Sequence, residues 1–202
     1  MKQSINKHHI SSEEIIWTDK NALWYAEEYG DHISNDLTIN NIGLNPNDIL
    51  LDIGCGIGTA VKIASKKCHD GMVYGIDPTE TMINIAKKDL VITSNIKFSI
   101  GSAENIPLED ESVNKIIAIN SIHHWNDYNK GFFEVNRVLE SGGSFFISND
   151  KVGNNDCGHG KGPLETNEDI MRELNTLGFT HITLHNYTFE DEGIHLIRSK
   201  KV

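Results

Sequence analysis

Basic residues are scarce in this chain: 18 Lys and Arg stand against 29 Asp and Glu, for a net charge of −11. A general nucleic-acid binder needs a basic face, and an anionic membrane surface attracts only basic segments, so neither is an expected partner. Cysteine is scarcer. Cys55, Cys68 and Cys157 are odd in number and widely spaced, which suits neither a disulfide framework nor a zinc site and points to a reduced, cytoplasmic setting. No metal is expected; Cys157 and His159 beside His123 and His124 make only a weak alternative. No run approaches the ~20 apolar residues of a membrane span, and the first residues, Met1 to His9, lack the apolar stretch of a signal peptide. Repeats and low-complexity linkers are absent too. What remains is an ordinary globular composition over 202 residues, enough for one domain with a buried core.

The most informative stretch is Ile49 to Ala60, Ile-Leu-Leu-Asp-Ile-Gly-Cys-Gly-Ile-Gly-Thr-Ala. Ile49 to Ile53 reads as a strand buried on both faces. Gly54, Gly56 and Gly58 form a turn, and Thr59 to Lys67 reads as a helix ending in Lys66 and Lys67. Strand, glycine turn and helix start make a site for a nucleotide-type ligand. The dinucleotide fingerprint asks for Gly-x-Gly-x-x-Gly; here the third glycine comes one place early and Thr59 stands in its position. Asp52, just before the turn, would repel a pyrophosphate but suits an amino-acid ammonium group. This Asp-x-Gly-x-Gly-x-Gly pattern resembles the first motif of class I methyltransferases that depend on S-adenosylmethionine (SAM).

Further segments agree with that resemblance. Met72 to Ile76 is a second strand ending at Asp77, about twenty residues past the glycine turn, where an acidic side chain can grip both ribose hydroxyls. Pro78 follows, and Thr79 can cap a helix to Lys88 that keeps Met82, Ile83 and Ala86 on one stripe. After a third strand, Ile96 to Ile100, the run Gly101-Ser102-Ala103-Glu104-Asn105-Ile106-Pro107-Leu108 resembles the family loop that borders the adenine, with Ser102 in place of the usual Asp. Val113 to Asn120 is a fourth strand, and Ser121-Ile122-His123-His124-Trp125 follows at its carboxyl end, the edge where ligands sit in open α/β sheets. A helix from Phe132 to Leu139, a stop at Gly142 and Gly143, and a fifth strand from Ser144 to Ser148 resemble the family's Arg-Val-Leu-x-x-Gly-Gly segment. A helix over 166–177, a sixth strand over 179–187 and a seventh over 194–198, paired as a terminal hairpin, complete the expectation.

The predicted fold is therefore a Rossmann-like, doubly wound, seven-stranded, mostly parallel α/β sheet with an antiparallel final strand. Residues 1–45 are read as a helical extension or lid: a short helix after Ser12, another over 21–29 and a third over 31–42, with Trp24, Tyr25 and Tyr29 facing either the core or the ligand. Residues 46–202 are read as a single domain, with a glycine-rich loop from Lys151 to Gly162 above the ligand edge.

The resemblance implies SAM as cofactor, S-adenosylhomocysteine as product and a small-molecule acceptor. It assigns the methionine end to Asp52 and the backbone of Gly54, Cys55, Gly56 and Gly58, and the ribose to Asp77, with Pro78 and Met82 nearby. The adenine falls to Ser102, Ala103 and Glu104, and the ammonium group to the Asn120 carbonyl. His123 and His124 are candidates to orient or deprotonate the acceptor, since His titrates near neutrality; Trp125 joins Trp24, Tyr25 and Tyr29 as substrate-side residues. A non-catalytic SAM-binding protein and a Rossmann oxidoreductase remain as alternatives.

Overall fold

A computed structural model describes residues 19–88, 94–151, 164 and 166–202. The helix expected after Ser12 and the loop beyond Lys151, with Cys157 and His159, lie outside the described residues.

The elements run α1 (Asp19–Tyr29), α2 (Ser34–Asn41), β1 (Ile49–Ile53), α3 (Thr59–Lys67), β2 (Met72–Asp77), α4 (Glu80–Lys88), β3 (Ile96–Ile100), β4 (Val113–Ile119), a single 3-10 turn (Ile122–His124), α5 (Tyr128–Val138), β5 (Leu139–Asp150), α6 (Asn167–Thr176), β6 (Thr180–Phe189) and β7 (Glu192–Lys200). One seven-stranded sheet takes the order β3-β2-β1-β4-β5-β7-β6. Pairings from β3 through β5 are parallel, whereas β7 runs antiparallel to both β5 and β6. The fold is thus the mostly parallel, Rossmann-like sheet that the sequence pattern predicts.

Alternate residues of the central strands serve two cores. Leu51, Ile53, Ile116, Ala118, Phe145 and Ile147 pack with α5 and α6 through Phe132, Val135, Ile170 and Leu174. Leu50, Val73, Ile117 and Phe146 face the other way, onto Ile39 of α2, Val61 and Ala64 of α3 and Ile83 of α4. Strands covered on both faces need apolar residues at nearly every position, which is why β1 is legible as an unbroken apolar run.

Several boundaries differ from expectation. Helix α5 starts four residues earlier than Phe132, because the Asp127 side chain accepts the Lys130 N–H and caps it. It ends at Val138, and Leu139 already belongs to β5, so Gly142 and Gly143 do not stop a helix. They sit where the β4–β5 register shifts, within the strand. The β6–β7 hairpin is longer at both ends than its apolar residues suggest, since pairing continues through polar positions to Phe189 and Glu192. No helix among the described residues is long and apolar enough to cross a membrane.

Candidate active site

Strand order reverses between β1 and β4: the chain winds outward through β2 and β3 on one side and through β4 and β5 on the other. Loops leaving the carboxyl ends of those two strands diverge and leave a crevice, and ligands of such sheets sit there. In this chain the crevice is filled out by two adjoining cavities. The first is lined by Tyr25, Tyr29, His32, Ser34, Gly54, Cys55, Ile57, Thr59, Met82, Asn120 and Asp150, among others. The second is lined by Tyr25, Gly54, Asp77, Pro78, Met82, Ser102, Ala103, Glu104, Asn120, His124 and Trp125, among others. Tyr25, Gly54, Met82, Ile119 and Asn120 belong to both, so the two form one cleft.

The floor is the glycine turn. Gly54 and Gly58 have φ of +76° and +78°, and a Cβ on either would lie 2.5 Å from Ser121 Cβ or 2.3 Å from Phe98 Cζ. Both the backbone angle and the protein's own packing demand glycine there. Gly54 and Cys55 donate their N–H groups to the Ile76 carbonyl, at 2.9 Å each, so the turn is laced to β2. Gly56 donates to Asp77 Oδ2 at 3.0 Å, and Thr79 donates to Asp77 Oδ1 at 2.9 Å. Asp77 is therefore a brace between the glycine turn and the start of α4, while a carboxylate oxygen retains lone pairs for a further donor. Burial raises its pKa, with the two N–H donors opposing the shift.

Behind the turn, Asp52 is 2 % exposed. Burial, and then the charge of Asp77, push its pKa to about 8. Its Oδ1 has no hydrogen-bond partner among the described residues. Asp52 lines neither cavity. Cys55 is buried next to it, and burial followed by Asp52 and Asp77 raises its thiol pKa well above the usual range, which leaves it unreactive.

The walls come from three segments. Ser102 and Asn105 form a bridge that closes the loop after β3. Glu104 Oε1 accepts the N–H groups of Asn126 (2.7 Å) and Asp127 (3.2 Å), tying that loop to the one after β4. From α5, Arg137 bonds the carbonyls of Ile106 and Leu108 and is itself held by Glu134, which also accepts the Ile106 N–H. Trp125 is buried against Phe132, with ring centroids 5.6 Å apart. His123 and His124 lie in the 3-10 turn with rings 4.3 Å apart, but only His124 lines the cleft.

The roof is α1 and the turn into α2. Thr59 Oγ donates to the Gly30 carbonyl at 2.6 Å, and Thr81 bonds Asp19, so α1 is seated on the glycine turn and on α4. Tyr25 faces both cavities, and burial, then Asp150, push its phenol to about 12. Tyr29 lines the first cavity at 5.1 Å from Tyr25. Trp24 is 53 % exposed and lines neither. Asn120, in the left-handed region at φ +49°, accepts the Asp150 N–H (2.8 Å) and donates to Ser34 Oγ (3.2 Å), joining the ends of β4 and β5 to α2.

Sequence reasoning did not single out His32, Ser34 or Asp150. Asp150 ends β5 on the ligand edge, so the edge rule would have found it had the strand been drawn to its full length. His32 sits in the turn between α1 and α2 and Ser34 at the first position of α2, without any motif. Among the described residues no group of three or more His, Cys, Asp or Glu side chains is placed to hold a metal.

Comparison with known proteins agrees with this geometry. Residues 51–147 match the family model of the methyltransferase domain. The uncharacterized methyltransferase YdaC of Bacillus subtilis is 32 % identical over 114 residues, covering 56 % of this chain and 62 % of that protein. The chain thus spans a little under two thirds of that relative's length. A SAM-dependent methyltransferase from Aquifex aeolicus superimposes with a TM-score of 0.75 over 93 % of this chain and all of that one, at 20 % identity. Phosphoethanolamine N-methyltransferase 2 of Haemonchus contortus, solved with SAM, gives 0.70 over 92 % of this chain and 57 % of its own, at 16 %. Residues 51–147, a little under half of the chain, match a methyltransferase domain, and that match, the relatives and the shared fold together support a class I SAM-dependent methyltransferase.

Proposed function

We propose that this chain binds SAM in the crevice between β1 and β4 and methylates a small molecule there. The observation that carries the reading is the charge of the cleft. Asp52 and Asp77 stand at the glycine turn, and among the described residues no Lys or Arg lines either cavity. A dinucleotide pyrophosphate would meet the Asp77 carboxylate and, among the described residues, no Lys or Arg; a cofactor with an ammonium, a sulfonium and no phosphate fits.

When bound, SAM supplies an electrophilic methyl group on a positive sulfonium. The chain's own residues orient and enclose. Asp52 and the backbone of Gly54 and Gly56 hold the amino-acid end, with Cys55 and Gly58 shaping the turn. Asp77 accepts from the ribose hydroxyls, and Ser102, Ala103 and Glu104 border the adenine, with Pro78, Met82 and Trp125 as apolar walls. Residues 19–45 act as a lid in which α1 keeps water from the reacting centre. Of the two histidines, His124 is the one that meets the acceptor; His123 holds the turn.

Calorimetric titration of S-adenosylhomocysteine, with NADH as control, tests the reading on wild type and on Asp77→Asn. Binding of the first alone, weakened at least tenfold in a variant that still melts cooperatively, is expected. NADH binding, or no binding of either ligand, would overturn it.

A further inference from the structure

The class of acceptor can be read from the α1–α2 end of the cleft; this inference rests on the methyltransferase reading above. Here Tyr25, Tyr29, His32, Ser34, Asn120 and Asp150 line the cavity. The hydrogen-bonding capacity of most polar groups is used within the protein. His32 Nδ1 lies 3.0 Å from Ser34 Oγ and accepts the Ser34 N–H at 3.4 Å. The other ring nitrogen faces Glu192, at 3.5 Å. Asn120 spends both ends of its amide on Ser34 and Asp150. Asp150 Oδ2 has His32 at 3.5 Å, but Asp150 Oδ1 is buried with no partner among the described residues. A buried carboxylate oxygen without a donor is costly, and a ligand N–H removes that cost.

The surroundings narrow the donor. Tyr25 and Tyr29 present rings tilted by 37°, and aromatic faces favour a cationic or polarised N–H over an anion. Among the described residues no Lys or Arg joins the lining, and an acidic acceptor would meet Asp150 and Glu192 with His32 alone of those residues to offset them. A hydroxyl could satisfy Asp150 Oδ1 with its single hydrogen; a primary amine offers donors to the carboxylate and to the rings at once. We propose that the acceptor is a small amine, its N–H bound by Asp150 and its carbon frame set against Tyr25 and Tyr29. Asp150 then lines the first of the two adjoining cavities and His124 the second.

Two matched series test this by ligand-observed NMR titration at saturating S-adenosylhomocysteine: butylamine, butanol and butyrate, and benzylamine, benzyl alcohol and benzoate. In at least one series the amine is expected to bind tenfold more tightly than its alcohol and carboxylate. Asp150→Asn, near-isosteric, should bring amine and alcohol to within twofold. Tyr29→Leu, at a half-exposed position that leaves folding intact, should weaken the amine severalfold. Alcohol or carboxylate binding as tightly as the amine in both series, no amine binding, or an amine preference that survives Asp150→Asn would overturn the proposal. S-adenosylhomocysteine is titrated first in the same samples: its failure to bind brings down the methyltransferase reading and this inference together, whereas its binding without amine preference brings down this inference alone.

Discussion

Asp52 keeps its proton to about pH 8, because its carboxyl is buried behind the glycine turn with Asp77 beside it. In the unfolded chain the same group ionises near 3.8. Between those values the native state holds a proton that the unfolded state has released, so this residue makes stability fall as pH rises from about 4 to about 8. Asn has the same shape and no charge to bury. Asp52→Asn is therefore expected to melt higher than wild type at pH 8.5, by roughly 5–10 °C for a gain of a few kcal/mol, with the difference fading at pH 4. The same variant should lose at least tenfold in affinity for S-adenosylhomocysteine. Thermal melts at the two pH values check the first part; a variant that melts lower at both would mean that the carboxylate already has its donor. The paired histidines give a second comparison. His124→Ala should lower turnover at least tenfold once an acceptor is in hand, and His123→Ala less than twofold, because only the former reaches the cleft. Asp52, the glycines and Asp77 were legible in the sequence because their chemistry is local: a turn, a strand end and a fixed spacing. His32, Ser34 and Asp150 were not, because what matters about them is a meeting of three distant segments.

At the scale of elements, the seat of α1 is the point most open to test. Gly30 ends the helix where a Cβ would lie 2.4 Å from both the Ala26 carbonyl oxygen and Ile57 Cδ1. Gly30→Ala should lift α1 from the glycine turn, costing about 1–3 kcal/mol. Hydrogen exchange over residues 19–30 should rise while the central strands stay protected, and affinity for S-adenosylhomocysteine should fall severalfold. Unchanged exchange in α1 would show that the helix accommodates the methyl group and that its seat is looser than the contact distances indicate. The sequence reading found α1 from its Tyr and Trp residues but left open which side they served. Tyr25 lines the cleft and Trp24 is exposed to solvent, an outcome that adjacent positions of one short helix do not announce. Likewise β5 was drawn too short. Its first residues are Leu-Glu-Ser-Gly-Gly, a poor strand by composition; Leu139 pairs with Val113 of β4, and Gly142 and Gly143 bond Lys201, just past the end of β7.

Across the whole molecule, charge and topology act on the same cleft. The sheet order brings the carboxyl ends of β1, β2, β4 and β5 together, and with them Asp52, Asp77 and Asp150; the net charge of −11 surrounds this acidic cleft with more negative charge. The order itself was legible only through the resemblance, since no local pattern says that β4 pairs with β1. Its consequence is electrostatic discrimination between cofactor and product, which share adenosine and amino-acid parts and differ by one positive sulfonium. A negative cleft attracts the charged form over the neutral one, and does so less as salt shortens the screening length from about 30 Å at 0.01 M to about 3 Å at 1 M. SAM affinity is therefore expected to fall threefold to tenfold across that range at pH 7, and S-adenosylhomocysteine affinity by less than twofold, as read by calorimetry. A parallel decline of both would place the effect in ordering of the lid; no decline in either would mean that buried carboxylates, protonated at neutral pH like Asp52, leave the cleft with little field to screen.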